Sequence, residues 1–235
     1  MKNIVFIIAF LFLSVNAQND KVLVFTKTAG YRHESIETGV KTIAELGKQN
    51  DFDVTHSEDA NVFTEENLSQ YRLVIFLSTT GDILNDEQQN SFEVYIENGG
   101  SFMGIHAAAD TEYDWPWYGA LVGAYFLSHP EKSNAEVVKV DDSFEACKHL
   151  PERWSRYDEW YNYKSISPNI RVVLELDEST YEGGKNGLHH PITWYHDFDG
   201  GRAFYTGMGH TTESYSEPDF KKLLLGGILY CLKRN

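Results

Sequence analysis

Residues 99–110, GGSFMGIHAAAD, are the stretch on which the prediction of the fold depends. The paired glycines Gly99 and Gly100 predict the end of a helix, and the apolar run after them is typical of a buried strand. Small residues around His106 allow the backbone to turn sharply where that strand stops, which leaves the histidine side chain projecting. A packed strand with a merely hydrogen-bonded His106 explains the same residues. The stretch therefore predicts a strand end at His106 and leaves its role open.

Strands and helices alternate upstream of this stretch. The predicted strands are residues 21–26, 52–55, 73–77 and 101–105; the predicted helices begin at Ser35, at Thr64 or Glu65, and at Asn85, where Gln88 completes a capping box. This alternation implies right-handed crossovers and a parallel sheet, so the fold class is α/β. The loops after parallel strands share the sheet edge where such folds bind ligands. We expect four side chains there: His33, Thr79, Thr80 and His106.

The second half of the chain is less regular. Residues 113–118 predict the start of a short helix, with Asp114 as its cap and Pro116 in its first turn. The elements predicted after it are an extended loop at 126–130, a strand at 136–140, a short helix at 144–150, a strand at 171–176, a β-hairpin of 191–196 and 202–206, and a helix at 219–232. Residues 154–163 are rich in aromatic and charged side chains without a clear period. Because no repeat or linker interrupts the chain, we predict a single domain over residues 18–235.

The first 17 residues have the pattern of a secretion signal. Lys2 supplies a positive charge, residues 4–13 form an apolar core, and Ala17 is the small residue that signal peptidases prefer. The apolar run is too short to span a bilayer comfortably. We therefore expect export to a periplasm or the exterior, with the mature chain starting near Gln18 and no membrane attachment afterwards.

Charge and cysteine content exclude some classes of protein. The formal net charge of −15 argues against nucleic acids and anionic membranes as partners, because both select positive surfaces. The chain has two cysteines, Cys147 and Cys231, so it is not a disulfide scaffold. Cys231 lies in an apolar helical pattern, which favours a buried thiol, although pairing in an exported protein stays open.

Histidine is the residue type with most potential for chemistry. Four histidines lie in loops among glycine, proline or small residues: His33, His106, His129 and His210. A neutral imidazole can act as a general base or bind zinc and similar divalent metals. No two-histidine helix motif of the metalloproteases is present, and a surface or hydrogen-bonded structural role is the alternative for each histidine.

Carboxylates and aromatic side chains suggest a sugar as the substrate. Asp158 and Glu159 lie among aromatic residues. Aromatic neighbours can bury a carboxylate and raise its pKa, which suits acid/base catalysis. A charged turn is the alternative interpretation of the same pair. Flat indole faces suit the C–H side of a sugar ring, unless the rings are core residues; the candidates are Trp115, Trp117, Trp154 and Trp160. No glycine-rich phosphate loop and no Gly-x-Ser-x-Gly elbow occur, so we expect no nucleotide cofactor and no serine hydrolase.

Five ordered motifs together resemble the ThuA-like family, named for a trehalose-utilisation protein. They are residues 25–33 (FTKTAGYRH), 104–110 (GIHAAAD), 128–130 (SHP), 158–161 (DEWY) and 201–210 (GRAFYTGMGH). The resemblance implies a flavodoxin-like sheet related to the class I glutamine amidotransferases, and a link with carbohydrate catabolism that includes 3-keto sugars. In amidotransferases the elbow after the fourth strand carries a nucleophilic cysteine. Because His106 stands there in this chain, we expect no glutaminase activity.

The leading hypothesis is an exported enzyme that isomerises an oxidised, 3-keto sugar or glycoside or eliminates a group from it. The ketone acidifies the neighbouring C–H, so the reaction needs a base and a group that stabilises the enolate. His106 is expected as base or metal ligand, Glu159 as a second acid/base and Asp158 as its orienter or a hydroxyl ligand. The expected substrate contacts are His33, Thr79, Trp115, Trp160 and His210, and the candidate ligands of a divalent metal are His33, His106 and His129.

Two other classes of function remain open at this stage. The same residues could activate water in a metal-dependent hydrolase of a sugar derivative, or they could belong to a carbohydrate-binding protein without catalysis. The sequence does not identify the sugar, its linkage or the oligomeric state. In each of these alternatives the expected partner is a small-molecule carbohydrate.

Overall fold

Residues 19–234 are described by a computed structural model, and this part of the chain contains eleven strands and five α-helices. The strands are β1 (Asp20–Phe25), β2 (Phe52–Ser57), β3 (Leu73–Leu77), β4 (Ser101–Ile105), β5 (Tyr125–Ser128), β6 (Ser133–Lys139), β7 (Arg153–Asp158), β8 (Asn162–Lys164), β9 (Arg171–Asp177), β10 (Pro191–Phe198) and β11 (Gly201–Thr206). The helices are α1 (Ile36–Gln49), α2 (Glu65–Leu68), α3 (Asp86–Glu97), α4 (Pro116–Val122) and α5 (Pro218–Cys231). The predicted secretion signal at residues 1–17 lies outside the described residues.

Nine of the strands form one mixed sheet in the order β2-β1-β3-β4-β11-β10-β9-β6-β7. Neighbouring strands from β2 to β11 are parallel, and those from β11 to β7 are antiparallel. Every residue of β3 and β4 is buried, as expected for parallel strands that are covered on both faces. The predicted α/β, flavodoxin-like class is confirmed, with an antiparallel extension of the sheet.

Helices pack on the sheet through aromatic and aliphatic side chains. Phe92 of α3 and Tyr118 of α4 stack on Phe76 of β3, with ring centroids 5.5 and 5.7 Å away. Helices α1 and α5 contact each other, and α5 also packs on β4 and β11. None of the helices in residues 19–234 is long and apolar enough to cross a membrane.

Several predicted helix boundaries are confirmed, and one differs in an informative way. Asn85 and Gln88 form the predicted capping box at the start of α3. Pro116 occupies the first turn of α4, but Trp115 rather than Asp114 is the capping residue. The hydroxyl of Ser35 does not cap α1; it donates to the carbonyl oxygen of Gly209 at 3.1 Å. Ser35 thus joins the start of α1 to a loop that is 174 residues away in the sequence.

The second half contains strands where the sequence pattern predicts none. The stretch 154–163 contains most of β7 and the start of β8. Residues 126–128 of the predicted loop belong to β5, which pairs with β8 in a separate two-stranded sheet. The predicted helix at 144–150 is only a 3-10 turn at Glu145–Cys147. In β7 the inward positions are the charged Arg156 and Asp158, so the period-two signal of hydrophobicity is absent although the alternation of burial is real.

The predicted hairpin is confirmed, with a tighter turn than the five-residue loop we expected. Only Asp199 and Gly200 connect β10 to β11, both at positive φ (+48° and +93°), which suits the twist of a two-residue hairpin. Cys147 and Cys231 are both buried and free. The interpretation of Cys231 as a small buried side chain therefore agrees with the structure.

Candidate metal and sugar site

Three histidines meet at the carboxyl edge of the parallel strands. His33 lies in the loop between β1 and α1, His106 directly follows β4, and His210 lies in the loop after β11. Because these strands are parallel, their carboxyl ends share one edge. The ring centroids are 4.8 Å apart for His33–His106 and 5.1 Å for each of the other two pairs, and all three rings are nearly perpendicular to one another.

Glu159 reaches the same place from the far end of the sheet. It follows β7, which is four antiparallel steps from β11 and therefore runs in the same direction as β11. Oδ2 of Asp158 accepts a hydrogen bond from the backbone N–H of Gly209 at 2.8 Å, and Oδ1 accepts one from that of His210 at 3.1 Å. These bonds join the end of β7 to the loop after β11, and Oε2 of Glu159 lies 3.1 Å from Nδ1 of His210.

His106 occupies a strained position that aims its ring into the cluster. Its φ is +50°, which is unfavourable for a residue with a side chain and is typical of a sharp strand-to-helix elbow. The ring is fully buried, and its Nδ1–H donates to the carbonyl oxygen of Gly207 at 2.9 Å. In the neutral ring, Nε2 is then the atom with the free lone pair. That atom lies 3.2 Å from Nδ1 of His210 and 3.5 Å from Oε2 of Glu159.

The electrostatics keep Glu159 ionised and His33 neutral, which are the forms of these two groups that bind cations. Burial alone would raise the pKa of Glu159, but hydrogen bonds and charge from His106 and His210 outweigh it and hold that pKa well below its usual range. Burial, together with the neighbouring His106 and His210, lowers the pKa of His33 to about 2. His33 is therefore neutral, and its buried Nδ1 has no hydrogen-bond partner within residues 19–234.

The donor set fits a divalent cation such as zinc. One atom each of His33, His106, Glu159 and His210 lies within 4.8 Å of the others. Ligand bonds of 2.0–2.2 Å in a tetrahedron separate the ligand atoms by about 3.4 Å, close to the observed 3.1–3.5 Å among His106, Glu159 and His210. The carbonyl of Gly207 orients His106 as partners of zinc ligands commonly do.

The ligand set differs from the predicted one at His129. We expected His33, His106 and His129 as ligands, but Glu159 and His210 complete the cluster instead. The side chain of His129 is 44 % exposed, and its Nδ1 lies 3.3 Å from Oε1, the outer oxygen of Glu159. His129 therefore lies at the rim of the site, because its loop leaves the small sheet of β5 and β8 rather than the main sheet.

Asp158 and Thr79 are both buried away from any substrate. Asp158 is fully buried and also accepts from the N–H of Glu159 at 3.0 Å, so its geometry suits the predicted orienting role and not contact with a sugar hydroxyl. Thr79 was a predicted substrate contact, but its hydroxyl pairs with that of Thr111 at 2.9 Å inside the protein. The neighbouring Thr80 donates instead to the carbonyl oxygen of Tyr31 at 2.9 Å.

Two of the four candidate indoles, those of Trp115 and Trp160, are buried, whereas Trp117 and Trp154 are half-buried. Trp160 is fully buried and donates to the carbonyl oxygen of Ser133, while Trp115 is 8 % exposed and donates to Glu93. Both rings belong to the hydrophobic core, so neither offers an exposed face on which a sugar ring could stack. Two exposed tyrosines that the sequence patterns did not predict as site residues, Tyr31 and Tyr157, line a pocket beside His210. No sequence pattern marks Tyr157 as outward-facing, because the inward neighbours Arg156 and Asp158 are charged.

The fold and the site define a class of protein: an α/β, glutamine amidotransferase-like domain whose elbow carries a histidine within a cluster of side chains that fits a metal ion. A family model described as ThuA, trehalose utilisation, matches residues 21–231, and the chain belongs to this family.

Comparison with solved structures supports the fold. A ThuA-like protein from Bacteroides uniformis is 21 % identical, with 95 % of each chain covered and a TM-score of 0.78. One from Parabacteroides merdae is 22 % identical, covering 91 % of this chain and 90 % of that one, with a TM-score of 0.75. A β-galactosidase from Bacillus circulans sp. alkalophilus is 16 % identical over 92 % of this chain and 32 % of its own, with a TM-score of 0.60. No curated protein sequence matches the chain.

Proposed function

We propose that the protein is a metal-dependent enzyme of carbohydrate catabolism that acts on a keto-sugar or its glycoside by acid/base isomerisation or elimination. The observation that carries the proposal is the cluster of three imidazoles and one carboxylate at the carboxyl edge of the sheet. Three neutral ligands and one anion leave a bound divalent cation with net positive charge. Such a centre attracts the partial negative charge of a ketone oxygen.

The residues of the chain have separate roles in the proposed reaction. His33, His106 and His210 would hold the cation, which supplies Lewis-acid polarisation of the ketone, and Glu159 would offset part of its charge. His129 is the imidazole left outside this set, and it is open to solvent at the rim. In the proposed reaction it would take the C–H proton next to the ketone and, in an isomerisation, return it to the adjacent carbon.

The sugar and the cellular location are proposed on separate grounds. The family's link with trehalose utilisation supports a carbohydrate substrate. The charge of −15 favours a small neutral molecule over nucleic acid. The signal pattern in residues 1–17 supports export to the periplasm or the exterior. Intact mass spectrometry of the protein secreted by its host would test export: a chain that retains residues 1–17 contradicts it.

Metal analysis tests the centre directly. Protein purified with zinc, manganese or iron present should contain close to one equivalent of metal, and Glu159→Gln and His210→Ala should lose most of it. His189→Gln is a matched control, because its side chain is 88 % exposed and outside the cluster. A wild-type protein that binds none of these metals, while folded by circular dichroism, contradicts the proposal.

Turnover distinguishes the proposed reaction from the other two functions. Wild-type protein should consume 3-keto glycosides and exchange the proton next to the ketone with deuterium from D2O, and a chelator should abolish both activities. Hydrolysis of sugar derivatives without deuterium exchange would point to a metal-dependent hydrolase instead. Metal-dependent sugar binding without turnover would identify a binding protein.

A further inference from the structure

We infer that the pocket beside His210 binds a second sugar ring of a neutral glycoside, and that Tyr31 and Tyr157 provide its stacking faces. The substrate would then be at least a disaccharide rather than a free monosaccharide. This inference rests on the proposed function, because it assigns the reacting ring to the cluster and its neighbouring ring to the pocket.

The pocket borders the cluster at His210. It has a volume of about 570 Å³ and is lined in part by His210, which also belongs to the cluster. On its other side lies Tyr31, whose ring contacts the ring of His33 edge-on at 4.9 Å between centroids. A ligand that reaches the cluster past His210 therefore extends into the pocket. A volume of this size is in the range that holds small organic ligands.

The two tyrosines are exposed and held by the backbone. Tyr31 is 64 % exposed and Tyr157 is 48 % exposed, although both have large apolar faces. The carbonyl oxygen of Tyr31 accepts from the hydroxyl of Thr80, which fixes the loop after β1. Tyr157 lies on β7 and points away from the buried side chains on either side of it. Tyrosine faces of this kind suit the C–H side of a sugar ring, while the phenol can bond to hydroxyls.

The charge of the lining selects a neutral ligand. Three carboxylates line the pocket, from Glu34, Glu213 and Glu217, against one ammonium group from Lys132. Carboxylates accept hydrogen bonds from sugar hydroxyls but repel phosphate and uronate groups. Of the three, Glu217 is partly balanced by Arg156 at 3.4 Å, which leaves an excess of negative charge.

The test is a binding titration of the zinc-loaded protein. The probes are 3-keto-trehalose, 3-keto-glucose and the 6-phosphate of trehalose, each measured by calorimetry. Tyr31→Ala and Tyr157→Ala should each weaken binding of 3-keto-trehalose by about tenfold or more, with much less effect on 3-keto-glucose. Tyr31→Phe and Tyr157→Phe keep the faces and should bind almost as the wild type does. Leu188→Ala is the control, because Leu188 is 94 % exposed and outside the pocket.

The outcomes separate this inference from the proposed function. Disaccharide binding that is the same in both alanine variants, with zinc content unchanged, overturns the inference and leaves the function standing. Tighter binding of the phosphorylated sugar than of the neutral ones also overturns it. If zinc loads but no saccharide binds, both the inference and the carbohydrate substrate are wrong. If the protein binds no zinc, the metal centre fails, and the effect of the tyrosine variants on disaccharide binding still decides the inference.

Discussion

Replacing Asp158 by asparagine should damage the stability of the protein and its affinity for metal together. Asp158 is fully buried, and its two carboxylate oxygens accept hydrogen bonds from three backbone N–H groups. Oδ2 also accepts from the hydroxyl of Ser214 and from Nη2 of Arg156, each at 3.2 Å. An asparagine of the same shape places an NH₂ group at one of these oxygens, so that donors face donors.

The expected loss of stability follows from these contacts. Removing one partner of a buried ion pair costs about 3–5 kcal/mol, because the other charge stays buried. Arg156 keeps its contacts with Ser214 and Glu217 at 2.7 and 3.4 Å, which favours the lower end of that range. We therefore expect Asp158→Asn to lower the free energy of unfolding by about 3 kcal/mol. For a chain of this size, that corresponds to a thermal midpoint about 6–12 °C lower.

The effect on metal affinity has a separate cause. The carboxylate of Asp158 accepts hydrogen bonds from the backbone N–H groups of Glu159, Gly209 and His210. Without these bonds, the proposed ligands Glu159 and His210 are less firmly positioned. Loss of such supporting groups commonly reduces metal affinity by about 10–100-fold. Urea unfolding with a chelator present measures stability, and competition with a zinc-binding dye measures affinity.

A matched control and a clear contrary result make this test decisive. Asp142→Asn removes an exposed carboxylate paired with Lys139 and should cost under about 0.5 kcal/mol. If Asp158→Asn unfolds like the wild type and binds zinc equally well, then the bonds from Asp158 do not position the site. A stable variant with weakened metal binding alone would contradict the stability argument but not the positioning argument.

Three further predictions test other parts of the structure. Burial lowers the pKa of His196 in the folded protein, so the unfolded chain takes up a proton at this residue first as the pH falls below about 6.5. Below that pH, His196 therefore lowers the free energy of unfolding by up to about 1.4 kcal/mol per pH unit. We expect His196→Phe to remove this contribution, as measured by urea unfolding at a series of pH values. The exposed His189→Phe is the control, and an unchanged slope for His196→Phe would contradict the reasoning. Gly201→Ala places a methyl group against the carbonyl oxygen of Gly100 and should cost about 3 kcal/mol or yield insoluble protein, so a soluble variant with normal thermal stability refutes the packing. Asn85→Ala removes the cap of α3 and should cost about 1 kcal/mol in thermal unfolding; no loss would mean that the helix end is held by other contacts.

Local signals predicted the first half of the fold well. Strand β3 coincides with the apolar run at residues 73–77, and the capping box at Asn85 starts α3 where expected. These elements depend on neighbours in the sequence, so their residues carry the information. Strand β7 was missed because its inward positions are Arg156 and Asp158, whose burial is stabilised by partners on distant loops.

By itself, the sequence determined the parallel half of the sheet, the strand end at His106 and the presence of histidines after β1, β4 and β11. Periodicity and small residues near an elbow are local properties, and the direction of parallel strands follows from the crossovers. Only the tertiary structure decided that Glu159 joins these histidines, that His129 lies at the rim, and that tyrosines rather than tryptophans face the pocket. Those outcomes depend on the order of the antiparallel strands and on hydrogen bonds between Asp158 and a loop about 50 residues away. Contacts between residues so far apart produce no periodic pattern of hydrophobic residues in the sequence, because each contact depends on the arrangement of the whole sheet.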